Sequence, residues 1–519
     1  MAAHTSDAPG RSPADQDATG ARLQGGYPGG LPPGPWSPAI VQTLAWAVAP
    51  TWVMDRCAQR LGGTFTLTFA PSGLKLVLVS DPEAVKAVFT APADVAPSAA
   101  GSSPVAAVMG SHSVVVLTGP EHMRQRKLLL PPFHGKRMRE YEDVIVQATR
   151  RDMASWPIGR PMRLQERTRA ITLEVILRAV FGVEAERMDA LRTAIGHLLA
   201  PLHPVKVVLV SLRRPSLDRP GGTLGRALDR LDDVIYEELE RRREQTDLAE
   251  RTDILSLLMQ ARDEDGRPMS DQELRDELVT LLLAGHETTS TSVAWAVERL
   301  VRHPDKLRRL VAEIDAETSA GAGNGGDLAE TAHADGGSAE VHGRSGEAHG
   351  ASGAVDGRSG EANGGSEAGT YMTAVVNETL RVRPVVPIVV RMLQREMRVG
   401  AHTLPPGTRV APCIYLTNRN PQVYEQPEQF RPERFLANSP ETFSWIPFGG
   451  GIRRCIGAAF AQMEMSLILR TVLSELEPKV PKHGRGWRRG EWIRRRPITL
   501  VPAAGARVVW ERRDRRITQ

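Results

Sequence analysis

The stretch that decides the reading runs from Ser444 to Gly457, SWIPFGGGIRRCIG, and leads straight into AAFAQMEMSLILRTVL. The glycines Gly449, Gly450 and Gly451 make a loop that can press flat against a neighbour, since a backbone without Cβ approaches closely and tolerates positive φ. The run Ala458–Leu473 has helical periodicity, which puts Cys455 at or just before a helix N-terminus. The partial positive charge of that terminus, with Arg453 and Arg454 alongside, is expected to lower the thiol's pKa and favour thiolate. Such a loop presents a sulfur anion to an electrophile or a metal.

Nothing near Cys455 supplies the His and Asn or Asp that would activate a thiol nucleophile. Gly451 and Gly457 miss the spacing of a phosphate-binding loop, and no Lys-Ser/Thr pair follows them. The other cysteines, Cys57 and Cys413, lie far off in sequence and read as packing residues. This excludes a disulfide scaffold or a multi-cysteine metal cluster and fits a reducing, cytoplasmic setting. A net charge of +5 is too mildly basic to argue for nucleic acid, and 41% hydrophobic residues over 519 positions suffice for a large core. The first 35 residues lack a basic stretch followed by an apolar run, so no signal peptide is expected. No segment approaches the roughly 20 apolar residues of a membrane span, and the Val207–Leu212 cluster is long enough only for core or a surface contact.

Away from the loop, residues 1–30 are polar and Gly/Pro-rich and are expected to be disordered. A first helix is expected over 38–48, and TFTLTF (64–69) with LKLVLV (74–79) reads as a β-hairpin. From about 120 to 315 the pattern is mostly helical. The clearest helix opens on a capping box, Ser270 with Glu273, and continues to about Arg302, long enough to cross a domain. Residues 318–369 contain almost no large apolar side chain and repeat GRSGEA[HN]G at 343 and 357. That composition cannot offset its ordering entropy, so a disordered insertion is expected there. Helical pattern returns over Tyr371–Arg383, followed by shorter strand-like pieces and a basic tail at 512–519.

The string Phe448-x-x-Gly451-x-Arg453-x-Cys455-x-Gly457 resembles the haem-binding loop of the cytochrome P-450 family, the haem-thiolate monooxygenases, in their soluble bacterial form. Other motifs of the family follow in the same order. Glu378-Thr-Leu-Arg381 is similar to its ExxR segment, and Phe430-Arg-Pro-Glu-Arg434-Phe to its PERF segment, which implies a buried network of Glu378, Arg381 and Arg434. Ala284-Gly-His-Glu287-Thr288-Thr resembles the oxygen-binding groove, where a glycine and paired threonines can open the helical ladder. There Glu287 and Thr288 are implied to relay protons. His122, Arg126 and Arg391 stand where the family binds haem propionates.

The resemblance spans roughly 31–315 and 370–511 and implies a single domain over 31–511, interrupted by the insertion. The implied fold is mainly α, a large helical part with a small β-rich lobe. It would hold haem b, with Cys455 as axial ligand and Arg453 on a propionate. The implied activity inserts one oxygen atom of O2 into a C–H bond, by hydroxylation or epoxidation, in secondary metabolism. The apolar segments Val105–Met109, Leu198–Leu212 and Val385–Val390 correspond to the substrate side and suggest a lipophilic small molecule. No electron-transfer domain is attached, so a separate ferredoxin and ferredoxin reductase are expected, with no membrane anchor and no nucleic acid. Two other readings stay open: a haem-thiolate isomerase or dehydratase, and a non-catalytic haem sensor.

Overall fold

The computed structural model describes residues 30–102, 106–135, 137–182, 185–199, 221–323, 369–437, 441–481, 490–496 and 498–513. Residues 1–29, the Val207–Leu212 cluster and the insertion from 324 to 368 lie outside them.

The described residues open with helices α1 (Ala39–Val48) and α2 (Pro50–Leu61). Pro50 begins α2, where a missing N–H leaves no helical bond unmade. Strands β1 (Thr64–Phe69) and β2 (Leu74–Val79) pair antiparallel from Thr64–Val79 to Phe69–Leu74, as their alternation predicts. Helix α3 (Pro82–Thr90) is capped by Asp81, whose carboxylate accepts the N–H groups of Glu83 and Ala84. The helical body follows: α4 (Gly119–Leu129), α5 (Arg137–Met153), β3 (Pro161–Arg163), α6 (Leu164–Phe181), α7 (Ala185–Leu199), α8 (Gly222–Glu244) and α9 (Ile254–Gln260).

Its axis is α10 (Asp271–Leu300), about 45 Å long at 1.5 Å per residue. The expected capping box is formed: Ser270 Oγ accepts the Glu273 N–H at 3.3 Å and Glu273 accepts the Ser270 N–H at 2.7 Å. Helix α11 (Pro304–Gly323) corrects the reading of 318–369, because residues 318–323 are helical. Thr318 and Ser319 bond back to the carbonyls of Ile314 and Asp315, a choice that composition does not reveal.

Helix α12 (Tyr371–Val382) carries the Glu378–Arg381 pair. Then come β4 (Arg391–Met392), β5 (Met397–Val399), β6 (His402–Leu404), β7 (Arg409–Pro412) and α13 (Ala458–Glu475), which follows the Cys455 loop. The chain closes with β8 (Leu476–Lys479), β9 (Ile493–Arg495), β10 (Leu500–Pro502) and β11 (Arg507–Arg512). Arg512, read as the first residue of the basic tail, ends that last strand.

The largest sheet has the order β1-β2-β7-β4, with β2 and β7 parallel. Parallel neighbours need a crossover, and here the helical body supplies it. Smaller sheets pair β3-β11-β8, β9 with β10, and β5 with β6. The main core packs α5, α6, α10, α12 and α13 together, and Trp295 ties α10 to the C-terminal strands through Nε1 to the Leu500 carbonyl at 3.1 Å. Two smaller cores lie under the β lobe, one against α1 and α2 and one against α3.

Candidate active site

The glycine loop is flat because α3 leaves it no room. A Cβ on Gly450 would come within 2.6 Å of the Phe89 ring, and one on Gly451 within 2.0 Å of the Phe89 carbonyl oxygen. Gly449 and Gly451 also hold positive φ, +71° and +64°. The loop closes on itself through the Cys455 N–H, which donates to the Phe448 carbonyl at 3.0 Å, while the Phe448 ring packs edge-on against Trp445. Gly457 is the residue from which α13 departs.

The Cys455 side chain carries accessible surface although protein surrounds it closely, as befits a residue lining an internal cleft. Burial pushes its thiol pKa up, against the Gly457 N–H, Arg126 and Arg454, which pull it down. This corrects the expectation of a lowered value. The helix-end and arginine effects are present, and desolvation outweighs them. Cys57 and Cys413 are buried and pushed up to about 11 and about 12, as inert packing residues should be.

Three distant segments bring basic groups together at this loop. His122 and Arg126 come from α4, Arg391 from β4 and Arg453 from the loop itself. Burial, then Arg453, Arg126 and Arg391, push the His122 imidazole down to about 4, and its Nδ1 is buried without a partner. Burial lowers Arg391 and Arg453 to about 10, and for Arg453 the charges of Arg391 and Arg126 add to the effect. Arg453 donates to the carbonyls of Val114, Val115 and Leu117. The same segment is anchored from α10, where Glu277 accepts the Val114 N–H at 2.7 Å. Among the described residues no carboxylate pairs with Arg126, Arg391 or Arg453. A cluster of like charges around an orphaned imidazole nitrogen, next to a thiol, suits a flat group that brings two carboxylates of its own. The residues therefore fit haem.

Helix α10 carries the residues expected beside bound oxygen. Leu278, Val279 and Leu282 are buried before its middle and Val293–Val297 after it, while Ala284 is exposed and Leu281, Leu283 and Thr288 keep partial exposure. The expected opening of the helical ladder is not seen, since the helix is continuous. Gly285 instead allows close packing of α6, because a Cβ there would lie 3.0 Å from Ile176 Cδ1. Thr288 Oγ1 donates to the Ala284 carbonyl at 2.6 Å. Glu287 is held by Arg169 of α6 at 2.7 Å and by Arg496 at 3.4 Å. Burial raises its pKa and Arg169 opposes the rise.

The ExxR and PERF residues meet as the resemblance implies. Arg381 pairs bidentately with Glu378, at 2.7 Å and 2.9 Å, and Arg434 reaches Glu378 at 3.2 Å.

The sequence reading missed Phe89, Arg169 and Arg496, which no local pattern announces. It also missed Glu464, a lone acid inside the apolar stretch of α13 that could have been noticed. Glu464 is fully enclosed, hydrogen-bonded by Thr289 of α10, and pushed up to about 8 by burial.

Comparison with known proteins agrees with this geometry. The family model for cytochrome P-450 matches residues 28–322 and 367–498, leaving 323–366 between its two segments. Cytochrome P-450 137 of Mycobacterium tuberculosis is 37% identical over 472 residues, covering 91% of this chain and 87% of that protein. Cytochrome P-450 135B1 of Mycobacterium bovis is 35% identical over 482 residues, covering 92% and 91%. Among solved structures, the retinoic acid bound cyanobacterial CYP120A1 superposes with a TM-score of 0.70 at 21% identity, over 93% of this chain and all 100% of the other. The haem domain of cytochrome P-450DA gives 0.71 at 20%, over 93% and 97%. The chain belongs to the cytochrome P-450 family, and is a haem-thiolate monooxygenase of mainly α fold.

Proposed function

We propose that this protein inserts one atom of O2 into a C–H bond of a lipophilic small molecule, by hydroxylation or epoxidation, in secondary metabolism, with electrons from a ferredoxin and its reductase. The observation that carries the reading is the meeting of Cys455 with Arg126, Arg391, Arg453 and His122 from separate parts of the chain. Cys455 would hold the iron and the three arginines with His122 the propionates. Haem bound there supplies the redox chemistry, and a thiolate ligand favours O–O cleavage.

The chain's own contribution is position, dryness and protons. Gly457 N–H and the arginines temper the Cys455 sulfur. Leu281, Leu283 and Ala284 offer an apolar wall that suits a lipophilic substrate. In Val385–Val390, expected on that side, Ile388 and Val390 pack on one lobe core and Val386 and Val389 on the other, all four partly exposed, while Val385 and Pro387 are buried. Thr288 holds a proton on Oγ1, given to the Ala284 carbonyl until the side chain turns toward a bound acceptor. Glu287 can replenish it once its carboxylate swings away from Arg169 and Arg496 and takes up a proton from water. Arg454 is exposed beside the Cys455 loop, where an acidic ferredoxin would dock.

A second reading, isomerisation or dehydration without net oxidation, is favoured by the same two ion pairs, because a tethered Glu287 relays no proton. One experiment separates the two. Compounds that shift the haem Soret band are turned over with NADPH, ferredoxin, reductase and isotopically labelled dioxygen. Monooxygenation incorporates one labelled atom and requires NADPH, whereas isomerisation does neither. In parallel, Cys455→Ser should lose the red-shifted Soret band of the ferrous–CO complex, and Cys57→Ser and Cys413→Ser should keep it.

A further inference from the structure

Helix α1 is built inside out. It carries no charged residue, and its polar side chains, Gln42 and Thr43, are taken up by bonds within the fold. Gln42 is buried, donating to the carbonyls of Pro35 at 3.1 Å and Ser37 at 2.8 Å and accepting the Thr68 N–H at 2.8 Å. Trp46, also buried, packs on Phe69 with ring centroids 5.9 Å apart, and Arg495 lies 5.7 Å from its centroid. The outward face is aliphatic: Ile40, Leu44 and Val48 recur every four residues and are 53%, 60% and 77% exposed. A surface helix facing water shows the reverse arrangement.

The flanks of this face are equally ordered. Trp36 precedes it at 90% exposure and Trp52 follows it in the first turn of α2 at 61%. The next turns of the Trp52 face bring Arg56 and Arg60, both exposed and without an ion pair among the described residues. The acid of α2, Asp55, is turned aside and accepts the Tyr415 hydroxyl at 3.0 Å. The β9–β10 hairpin, whose first strand packs on α1, adds Trp492 at 82% exposure. The face is therefore apolar in the middle, aromatic at its ends and cationic along α2.

We propose that this face docks on the surface of an anionic lipid bilayer, with Ile40, Leu44 and Val48 among the acyl chains, Trp36 and Trp52 at headgroup level and Arg56 and Arg60 on lipid phosphates. Aromatic side chains favour the membrane interface, and basic residues meet its negative charge. At ten residues, about 15 Å, α1 can lie in the interface but cannot cross it, and no described helix is long and apolar enough to do so. Residues 1–29 offer only Met1, Leu23 and Tyr27 as large apolar side chains, too few to cover the face. A second copy docked symmetrically would bring two sets of Arg56 and Arg60 into one interface, which like charge opposes.

The test is flotation of the haem-loaded full chain with phosphatidylcholine vesicles, with and without phosphatidylglycerol. The chain should float with the anionic vesicles and be released at high salt. Ile40→Asp/Leu44→Asp should weaken binding by about tenfold or more, since two charges would enter an apolar layer. Arg56→Glu/Arg60→Glu should reduce it to the level seen with phosphatidylcholine alone. Haem content and the ferrous–CO spectrum should stay unchanged in both. If the first variant fails to load haem, bromine-labelled acyl chains give the answer: they should quench the wild-type fluorescence, and less so in Trp36→Phe/Trp52→Phe. No flotation with anionic vesicles, or equal flotation of wild type and a folded variant, overturns the proposal. So does a wild-type dimer in the ultracentrifuge that Ile40→Asp/Leu44→Asp converts to monomer, because a second copy then occupies the face.

Discussion

Two groups of arginines lie inside this molecule, and their surroundings are opposite. Arg381 is fully buried and uses all five of its N–H donors: two on Glu378 and one each on the carbonyls of Asn418, Pro427 and Gln429. Arg434 and the Arg431 N–H complete the same carboxylate, and the Tyr424 ring lies near both guanidinium groups. Arg453 has Arg391 and Arg126 as neighbouring charges, and among the described residues no carboxylate pairs with any of the three. A buried charge is stable only when paired and hydrogen-bonded. The first group meets that condition from within the chain and is architecture. The second meets it only with an anionic partner, which is what the proposed haem-binding role would supply.

The largest effect should come from breaking the closed group. Glu378→Gln leaves Arg381 buried without its counter-charge, and removal of one partner of a buried pair costs about 3–5 kcal/mol. Loss of folded, haem-loaded protein on expression, or a collapse in melting temperature, is expected. A stable variant with full haem content would erase the distinction between the two groups.

A smaller and qualitatively different effect is expected for the open group. Among the described residues the Arg391 side chain makes one hydrogen bond, at 3.4 Å to the Val390 carbonyl, and lies 6.0 Å from the Phe89 ring centroid. Arg391→Ala should therefore leave the melting temperature of the haem-free protein nearly unchanged, while haem transfer to an acceptor protein speeds up by about tenfold or more. Equal losses in both measurements would place Arg391 with the architectural residues.

The smallest effect sharpens the comparison through carboxyl groups. Glu464, unlike Glu378, has no arginine beside it and keeps its proton up to about pH 8 in the folded state, against an ordinary value of 4.5. Between those two pH values the unfolded chain binds fewer protons than the native one, so stability falls as pH rises and then levels off. Glu277, also pushed up to about 8, contributes in the same window. Glu464→Gln should remove one of the two contributions, which narrows the difference in melting temperature between pH 5 and pH 8. An unchanged pH profile would mean that Glu464 is ionised in the native state.

The sequence by itself determined what depends on neighbours a few residues away. The capping box of α10, the β1–β2 hairpin and the Glu378–Arg381 spacing on one helical face are all local, and each stands where the pattern put it. The order of the family motifs was equally legible, and with it the mainly α fold. Tertiary structure decided whatever depends on the atoms that pack across from a residue. The thiol of Cys455 is pushed up because desolvation by the surrounding protein outweighs the helix end and the arginines. Gly451 is required by the Phe89 backbone, and Gly285 packs closely on Ile176, positions that are distant in sequence. Glu287 is tied by Arg169 and Arg496, and the grouping of His122, Arg126, Arg391 and Arg453 exists only once α4, β4 and the Cys455 loop are brought together. Hydrogen-bonded periodicity is a short-range property of the chain, whereas burial and charge pairing are set by which surfaces meet.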